Sequence, residues 1–248
     1  GKVVSWAPLL QSPFVPGVEE HCLRAAADYQ RDGVMVVPQI GCRPLELRFD
    51  FATPGFGLDN NPFWRPFMAK PRAERRRLFG DAAFRAELTS MAQGTFVVAL
   101  AHGWSQLFLR MPVSDRTGRW QDKSVTEIAA ERGTDPVTAF CDTVLDDELE
   151  AQWGAPLLNF DEPIVAGMLR HPAAVVALSD AGAHMDTLCD QGFTSYLLGH
   201  WVRERGMLSL EEAVRLVSSA PAERYGLRGR GRVAPGYAAD LLLFDAAR

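Results

Sequence analysis

The spacing of apolar residues changes period several times along the chain. "KVVSWAPLL" (Lys2 to Leu10) is a short apolar run that predicts a strand, whereas Val18, Cys22, Ala25 and Tyr29 recur at helical spacing and Gly33 is placed to close that helix. "VMVVPQIG" (Val34 to Gly41) predicts the next strand, although Pro38 within it has no N–H to give to a ladder. From Phe49 to Trp64 the periodicity gives way to Gly, Pro, Asn and aromatic residues. That composition predicts a long excursion over one end of the sheet, a kind of segment that often builds binding surfaces.

In the second half the boundaries are written more plainly. Ser124 with Glu127 makes a capping box ahead of Val125, Ile128 and Ala129, and Gly133 stops the turn. Asp135 caps a second helix with Pro136 at its first position and Val137, Phe140, Cys141, Val144 and Leu145 on one face. A third, roughly Asp161 to Arg170, delivers the chain into "AAVVALSD". That run is apolar at every position up to Ser179, which predicts a parallel strand buried on both faces. Ligands are then to be sought at its carboxyl end.

"FTSYLLGHWVRERG" and "SLEEAVRLVSSAPAERYG" predict two or three further helices, the latter opened by a capping box of Ser209 and Glu212. The tail "GRVAPGYAADLLLFD" changes to Gly and Pro followed by a short strand, read as the start of a separate small β-unit. Strands alternating with helices make the class α/β, with a parallel sheet and helical crossovers. The chain begins without Met, enters a strand at once and stops just after another, which reads as a piece of a longer protein.

Composition narrows the function classes. With 26 Lys and Arg against 31 Asp and Glu the net charge is −5, and the one basic block, "RAERRR" at Arg72 to Arg77, reads as the solvated face of a helix. A nucleic-acid or anionic-membrane partner is therefore not expected. The four cysteines, Cys22, Cys42, Cys141 and Cys189, lie far apart without a C-x-x-C pair, so neither a disulfide framework nor a thiolate zinc site is signalled, and a reducing cytoplasm fits best. No apolar run approaches the roughly 20 residues that span a bilayer.

Asp180, at the end of the buried run, is either a carboxylate carried to the ligand-binding edge or a turn-former with Ser179 ahead of Gly182. His184 follows in the same loop, where "HMD" has an H-x-D spacing; it is either a ligand or polar surface. Arg43 in "GCRP" follows the second strand and has the chemistry to clamp a substrate carboxylate in bidentate fashion, or is a surface loop arginine. Asn159, after "PLL", is a polar site residue or a turn-former. His102 in "LAHGW" stays open, and His200, sharing a helical stripe with Tyr196 and Trp201, reads as a hydrogen-bonded core residue. H-x-H, H-E-x-x-H, the G-x-S-x-G elbow and the P-loop are all absent.

The stretch from His171 to Asp245 resembles the C-terminal region of the amidohydrolase superfamily, in its D-aminoacylase or N-acyl-D-amino-acid deacylase branch. The strand ending in Ser179-Asp180, the "GAH" turn, "LSLEEAVRLVSSAPAERYGL" and "GRGRVAPGYAADLLLFD" carry the likeness. "GKVVSWAPLLQSP" and "VVPQIGCRPLELRFDF" resemble the middle of the same branch.

The resemblance implies a partial (β/α) TIM-type barrel over residues 1–228, with 229–248 the strand of a small β-sandwich. It also implies zinc in the full-length protein and a small-molecule N-acyl amino acid as substrate. In that family a metal-bound water attacks the amide carbonyl and an aspartate at the end of the last barrel strand moves the proton; Asp180 matches that aspartate and is also a possible metal contact. His184 would lie at the pocket rim. The family's H-x-H pair, and the cysteine or modified lysine that helps hold its metal, fall before Gly1. The chain by itself is therefore expected to be an inactive fragment, since a zinc site needs three or four protein ligands. The alternatives are a cyclic amidohydrolase opening a hydantoin, dihydropyrimidine or lactam ring, and a non-catalytic binding module on the same fold.

Overall fold

The first apolar run and the second pair in parallel: β1 (Val4–Leu9) leads through α1 (Val18–Arg31) to β2 (Val36–Ile40), with Val4 opposite Val36 and Trp6 opposite Pro38. The computed structural model describes residues 2–59, 61–91, 103–177 and 192–246. They form two units, one from described residues within 1–45, 158–181 and 190–248, the other from those within 46–157.

In the first unit α1 has Glu19 and Glu20 in its first turn and Arg31 in its last, each favoured by the helix dipole. Its buried stripe is Leu23 and Ala26, one residue later than the sequence spacing predicts, and Tyr29 is 54% exposed. Pro38 is tolerated for a geometric reason. Val4 N–H donates to the Met35 carbonyl, so odd-numbered residues of β2 face β1, while the Ile40 carbonyl accepts from Ala177 N–H on the other side. Pro38 therefore faces the third strand, whose pairing begins only with Gln39 opposite Val175. No ladder N–H is needed at Pro38.

The chain then builds the second unit with β3 (Leu45–Phe49), α2 (Phe56–Asp59), α3 (Trp64–Met68), α4 (Arg72–Phe79), α5 (Ala82–Met91), β4 (Phe108–Met111), α6 (Val125–Arg132), α7 (Pro136–Asp146) and β5 (Gln152–Leu158). β5 is the middle strand between β3 and β4, and it runs antiparallel to β4. Both predicted caps hold: Ser124 Oγ accepts from Glu127 N–H while Glu127 returns the bond, and Asp135 accepts from Thr138 N–H ahead of Pro136. The segment after Phe49 corrects the sequence reading. Phe51 and Trp64 are fully buried and pack edge-on or tilted against Phe67, Phe79 and Phe140, so much of the predicted binding surface is the aromatic core of this unit.

The remaining elements return to the first unit: α8 (Glu162–Arg170), β6 (Val175–Val176), α9 (Phe193–Tyr196), a π-helix (Leu197–Glu204), α10 (Leu210–Val217) and α11 (Ser219–Arg224). β6 pairs in parallel with β2, and Ala173 to Val176 are all buried, as an unalternating apolar run demands. Leu23, Ile40, Val165, Leu169, Val176 and Trp201 meet in its core. The class is mixed α/β as expected, with the described strands in two three-stranded sheets. The run "DLLLFD" joins no ladder among the described residues, and Leu243 is 99% exposed. No helix among the described residues is long and apolar enough to cross a membrane.

Candidate functional site

The carboxyl ends of β1 and β2 are tied together by one side chain. Asn159 sits just after β5 with a left-handed backbone (φ 63°) and is 2% exposed. Its Nδ2 donates to the carbonyls of Gly41 (2.9 Å) and Arg43 (2.7 Å), and its Oδ1 accepts from Gln11 N–H (3.2 Å). Asn159 N–H in turn donates to the Gln11 carbonyl at 2.8 Å. The side chain is thus a clamp on the segments that follow β1 and β2. Asparagine suits the place because it tolerates the left-handed region and offers a donor and an acceptor at once.

Gln11, buried and polar directly after an apolar strand, is the clamp's second half: its Oε1 accepts from Phe160 N–H (3.2 Å) and Asp161 N–H (3.3 Å). Sequence reasoning passed over it. The available signal was its position at the end of "APLLQ", where an unalternating apolar strand meets a polar residue.

The segment 41–43 is held from another direction by the helices after β6. Trp201 Nε1 donates to the Cys42 carbonyl at 2.7 Å, and Cys42 Sγ donates to the Phe193 carbonyl at 3.1 Å. These bonds place Arg43 with its guanidinium over the Tyr196 ring, 5.3 Å from the centroid. Its Nε is buried without a partner, and the guanidinium has no ion pair among the described residues. A half-buried cation at the carboxyl edge of a parallel sheet is a place to bind an anion.

Tyr196 is also stacked on His200, at 4.6 Å and 20°. The π-helix brings them together: Arg205 N–H donates to the His200 carbonyl five residues back. His200 lies between two carboxylates, Nε2 at 2.9 Å from Glu162 and Nδ1 at 3.1 Å from Glu204, and Arg205 reaches Glu162 at 2.9 Å. The expectation of a hydrogen-bonded histidine on this stripe matches these contacts. Burial pushes the Tyr196 phenol up to about 12, with the Glu162 charge adding to it. The ring under Arg43 is therefore neutral at physiological pH.

The structure brings Arg43 and Asn159 together through the 2.7 Å bond on Arg43's own carbonyl. Asp180, His184 and His102 lie outside the described residues. Among the described residues no group of three or more His, Cys, Asp and Glu is arranged to hold a metal ion.

A parallel sheet whose carboxyl edge presents a guanidinium without an ion pair among the described residues, its backbone held by a buried amide, makes this an α/β protein. The chain belongs to the amidohydrolase family, whose sequence profile matches residues 78–248. It is similar to a D-aminoacylase of Alcaligenes xylosoxydans xylosoxydans, 35% identical over 55% of this chain and 26% of that protein. An N-acyl-D-glutamate deacylase of the same organism is 37% identical over 50% of this chain and 24% of its own length. Among solved structures, a Bordetella bronchiseptica N-acyl-D-glutamate deacylase bound to zinc and a phosphonate inhibitor aligns with a TM-score of 0.43 at 20% identity, covering 96% of this chain and 39% of that one. The matched regions thus span about a quarter of the relatives' sequences.

Proposed function

We propose that the chain is the C-terminal part of a metal-dependent hydrolase that cleaves the linear amide of an N-acyl-D-amino acid. The observation that carries this reading is the Arg43 guanidinium, unpaired among the described residues and set over Tyr196 at the carboxyl edge of the parallel sheet. A planar fork of donors suits a substrate carboxylate, which every N-acyl amino acid carries and a simple cyclic amide lacks. Membership of the amidohydrolase family and the likeness to two deacylases of D-amino acids support the same class.

In this reading Arg43 binds the carboxylate and Asn159 acts through Arg43 by fixing its backbone. Asp180, on the run that continues β6, takes a proton from the attacking water and gives it to the leaving nitrogen. His184 lines the pocket rim. The architecture is a partial (β/α) barrel over 1–228 with 229–248 a strand of a small β-sandwich, in a cytoplasmic protein. The zinc assigned to the whole protein would need ligands beyond the described residues, which hold no group of three.

The test uses the full-length protein with metal, offered N-acetyl-D-amino acids, their L isomers and dihydrouracil. Turnover of the linear D-amides is expected, with Asp180→Asn abolishing kcat and Arg43→Gln raising KM by about 10- to 100-fold, as loss of a charge-assisted pair does. Preference for dihydrouracil would make the protein a ring-opening enzyme. Hydrolysis of none of them would leave a non-catalytic module.

A further inference from the structure

The first unit has a cavity at the amino ends of its strands. It measures about 320 Å³ and is lined by Met35, His171, Arg215, Leu216, Glu223 and Arg224, among others. Met35 precedes β2 and His171 precedes β6, whereas Arg43 follows β2. The cavity is therefore at the opposite edge of the sheet from the Arg43 site.

Its charges are unbalanced. Arg224 donates to neutral acceptors, Gln30 Oε1 at 2.9 Å and the Pro172 carbonyl, and approaches Met35 Sδ at 3.9 Å. No carboxylate pairs with it among the described residues. Arg215 is exposed and likewise has no ion pair among them. The one carboxylate in the lining, Glu223, is engaged by Arg232. Two guanidinium groups thus line one cavity, neither with an ion pair among the described residues.

His171 adds a neutral donor. Burial holds it below the usual imidazole range, so the ring is uncharged at neutral pH. Ala173 N–H donates to its Nδ1 at 3.3 Å, which places the remaining proton on Nε2. We propose that this cavity binds a small phosphate monoester, its dianion held between Arg215 and Arg224 with the His171 Nε2–H as a third donor. Two cations match the charge of roughly −1.5 to −2 that a phosphate monoester carries at pH 7. The volume leaves room beyond the phosphate for a small organic group against Leu216 and Ala220.

The experiment titrates phenyl phosphate into the full-length protein by calorimetry, at fixed ionic strength and with chelator present so that no metal competes for the phosphate. Saturable one-to-one binding is expected. Arg215→Gln should weaken it at least about tenfold, as removal of a charge-assisted hydrogen bond does. The Arg215 side chain makes no hydrogen bond or ion pair among the described residues, so its variant is expected to keep the fold, whereas Arg224→Gln is judged only if its circular dichroism is native. Arg43→Gln, at the other edge, should bind as tightly as the parent. Absence of saturable binding overturns the proposal, as does binding that survives Arg215→Gln or is lost in Arg43→Gln. Because the readout is binding and not amide hydrolysis, its failure is separate from failure of the deacylase reading.

Discussion

Asn159 Nδ2 stands 2.7 Å from the carbonyl of Arg43, so the residue after β5 fixes the backbone of a residue whose guanidinium has no ion pair among the described residues. The same amide nitrogen reaches Gly41, which uses both of its protons, and the amide oxygen takes Gln11 N–H with one of its two lone pairs. Both protons of Asn159 are thus committed to the backbone that carries Arg43.

Substitutions at Asn159 should separate its backbone role from its side-chain role. Asn159→Gly keeps the left-handed backbone and loses the side-chain bonds, which should lower stability by about 2–4 kcal/mol because buried backbone groups are left unpaired. Asn159→Ala loses the same bonds and adds about 1 kcal/mol or more of left-handed strain. Urea melts of both variants read the difference. An alanine variant as stable as the glycine one would mean that φ 63° is not held in solution.

The basic run of α4 divides into two kinds of arginine. Arg75 is 5% exposed, its Nη1 donating to the Phe51 carbonyl at 2.8 Å and its Nη2 to the Ala52 carbonyl at 3.0 Å. Arg76 pairs with Glu148 at the surface. Arg75→Met should destabilise by about 2 kcal/mol or more, since two carbonyls lose their donor, whereas Arg76→Met should leave the urea midpoint nearly unchanged. Equal effects would contradict the burial of Arg75.

Cys141 lies fully buried on α7, and burial pushes its thiol up to about 12. At pH 8 it is a neutral thiol, so iodoacetamide followed by peptide mass mapping should modify half-buried Cys22 in the native protein and Cys141 only in denaturant. The sign of the linkage follows. A folded pKa above the unfolded value of about 8.5 gives stability that is present below that pH and lost as pH rises towards 12. Between pH 9 and 12 the melting temperature should therefore fall, and in Cys141→Ala it should fall less steeply. An unchanged slope would remove Cys141 from the alkaline transition.

What the sequence revealed was local chemistry. Ser124 with Glu127, Ser209 with Glu212, and Asp135 before Pro136 were legible because each cap closes within four residues. The strands β3, β4 and β5 were not legible: each has seven residues or fewer, "QWGAPLL" contains both Gly and Pro, and their pairing partners are distant in sequence. The excursion after Phe49 misled for a related reason. Its turn-forming composition is real, yet Phe51 and Trp64 find their partners in Phe79 and Phe140, which no local pattern announces. Arg43 was singled out from its place after a strand, whereas its surroundings, Tyr196 and the Gln11–Asn159 pair, depend on contacts across more than a hundred residues.

Gly154 explains an otherwise poor choice for the middle strand of a sheet, where glycine packs nothing. Glu46 on β3 and Arg110 on β4 reach across β5 and close over it, with Arg110 Nε 3.0 and 3.1 Å from the two carboxylate oxygens. A Cβ at position 154 would lie 2.5 Å from Glu46 Oε1 and 2.7 Å from Arg110 Cγ. Gly154→Ala must therefore drive the pair apart or displace the strand, and the pair is largely shielded from solvent. A loss of about 1–3 kcal/mol is expected, the range for breaking a charge-assisted bond away from solvent. Crowding and charge are separated by repeating the substitution in Glu46→Ala, where Arg110 is free to turn towards Asp122 at 3.1 Å. The alanine penalty should then shrink by about 1 kcal/mol, the coupling of residues in contact. Strict additivity of the two changes would show that Gly154 is required by the backbone and not by the ion pair above it.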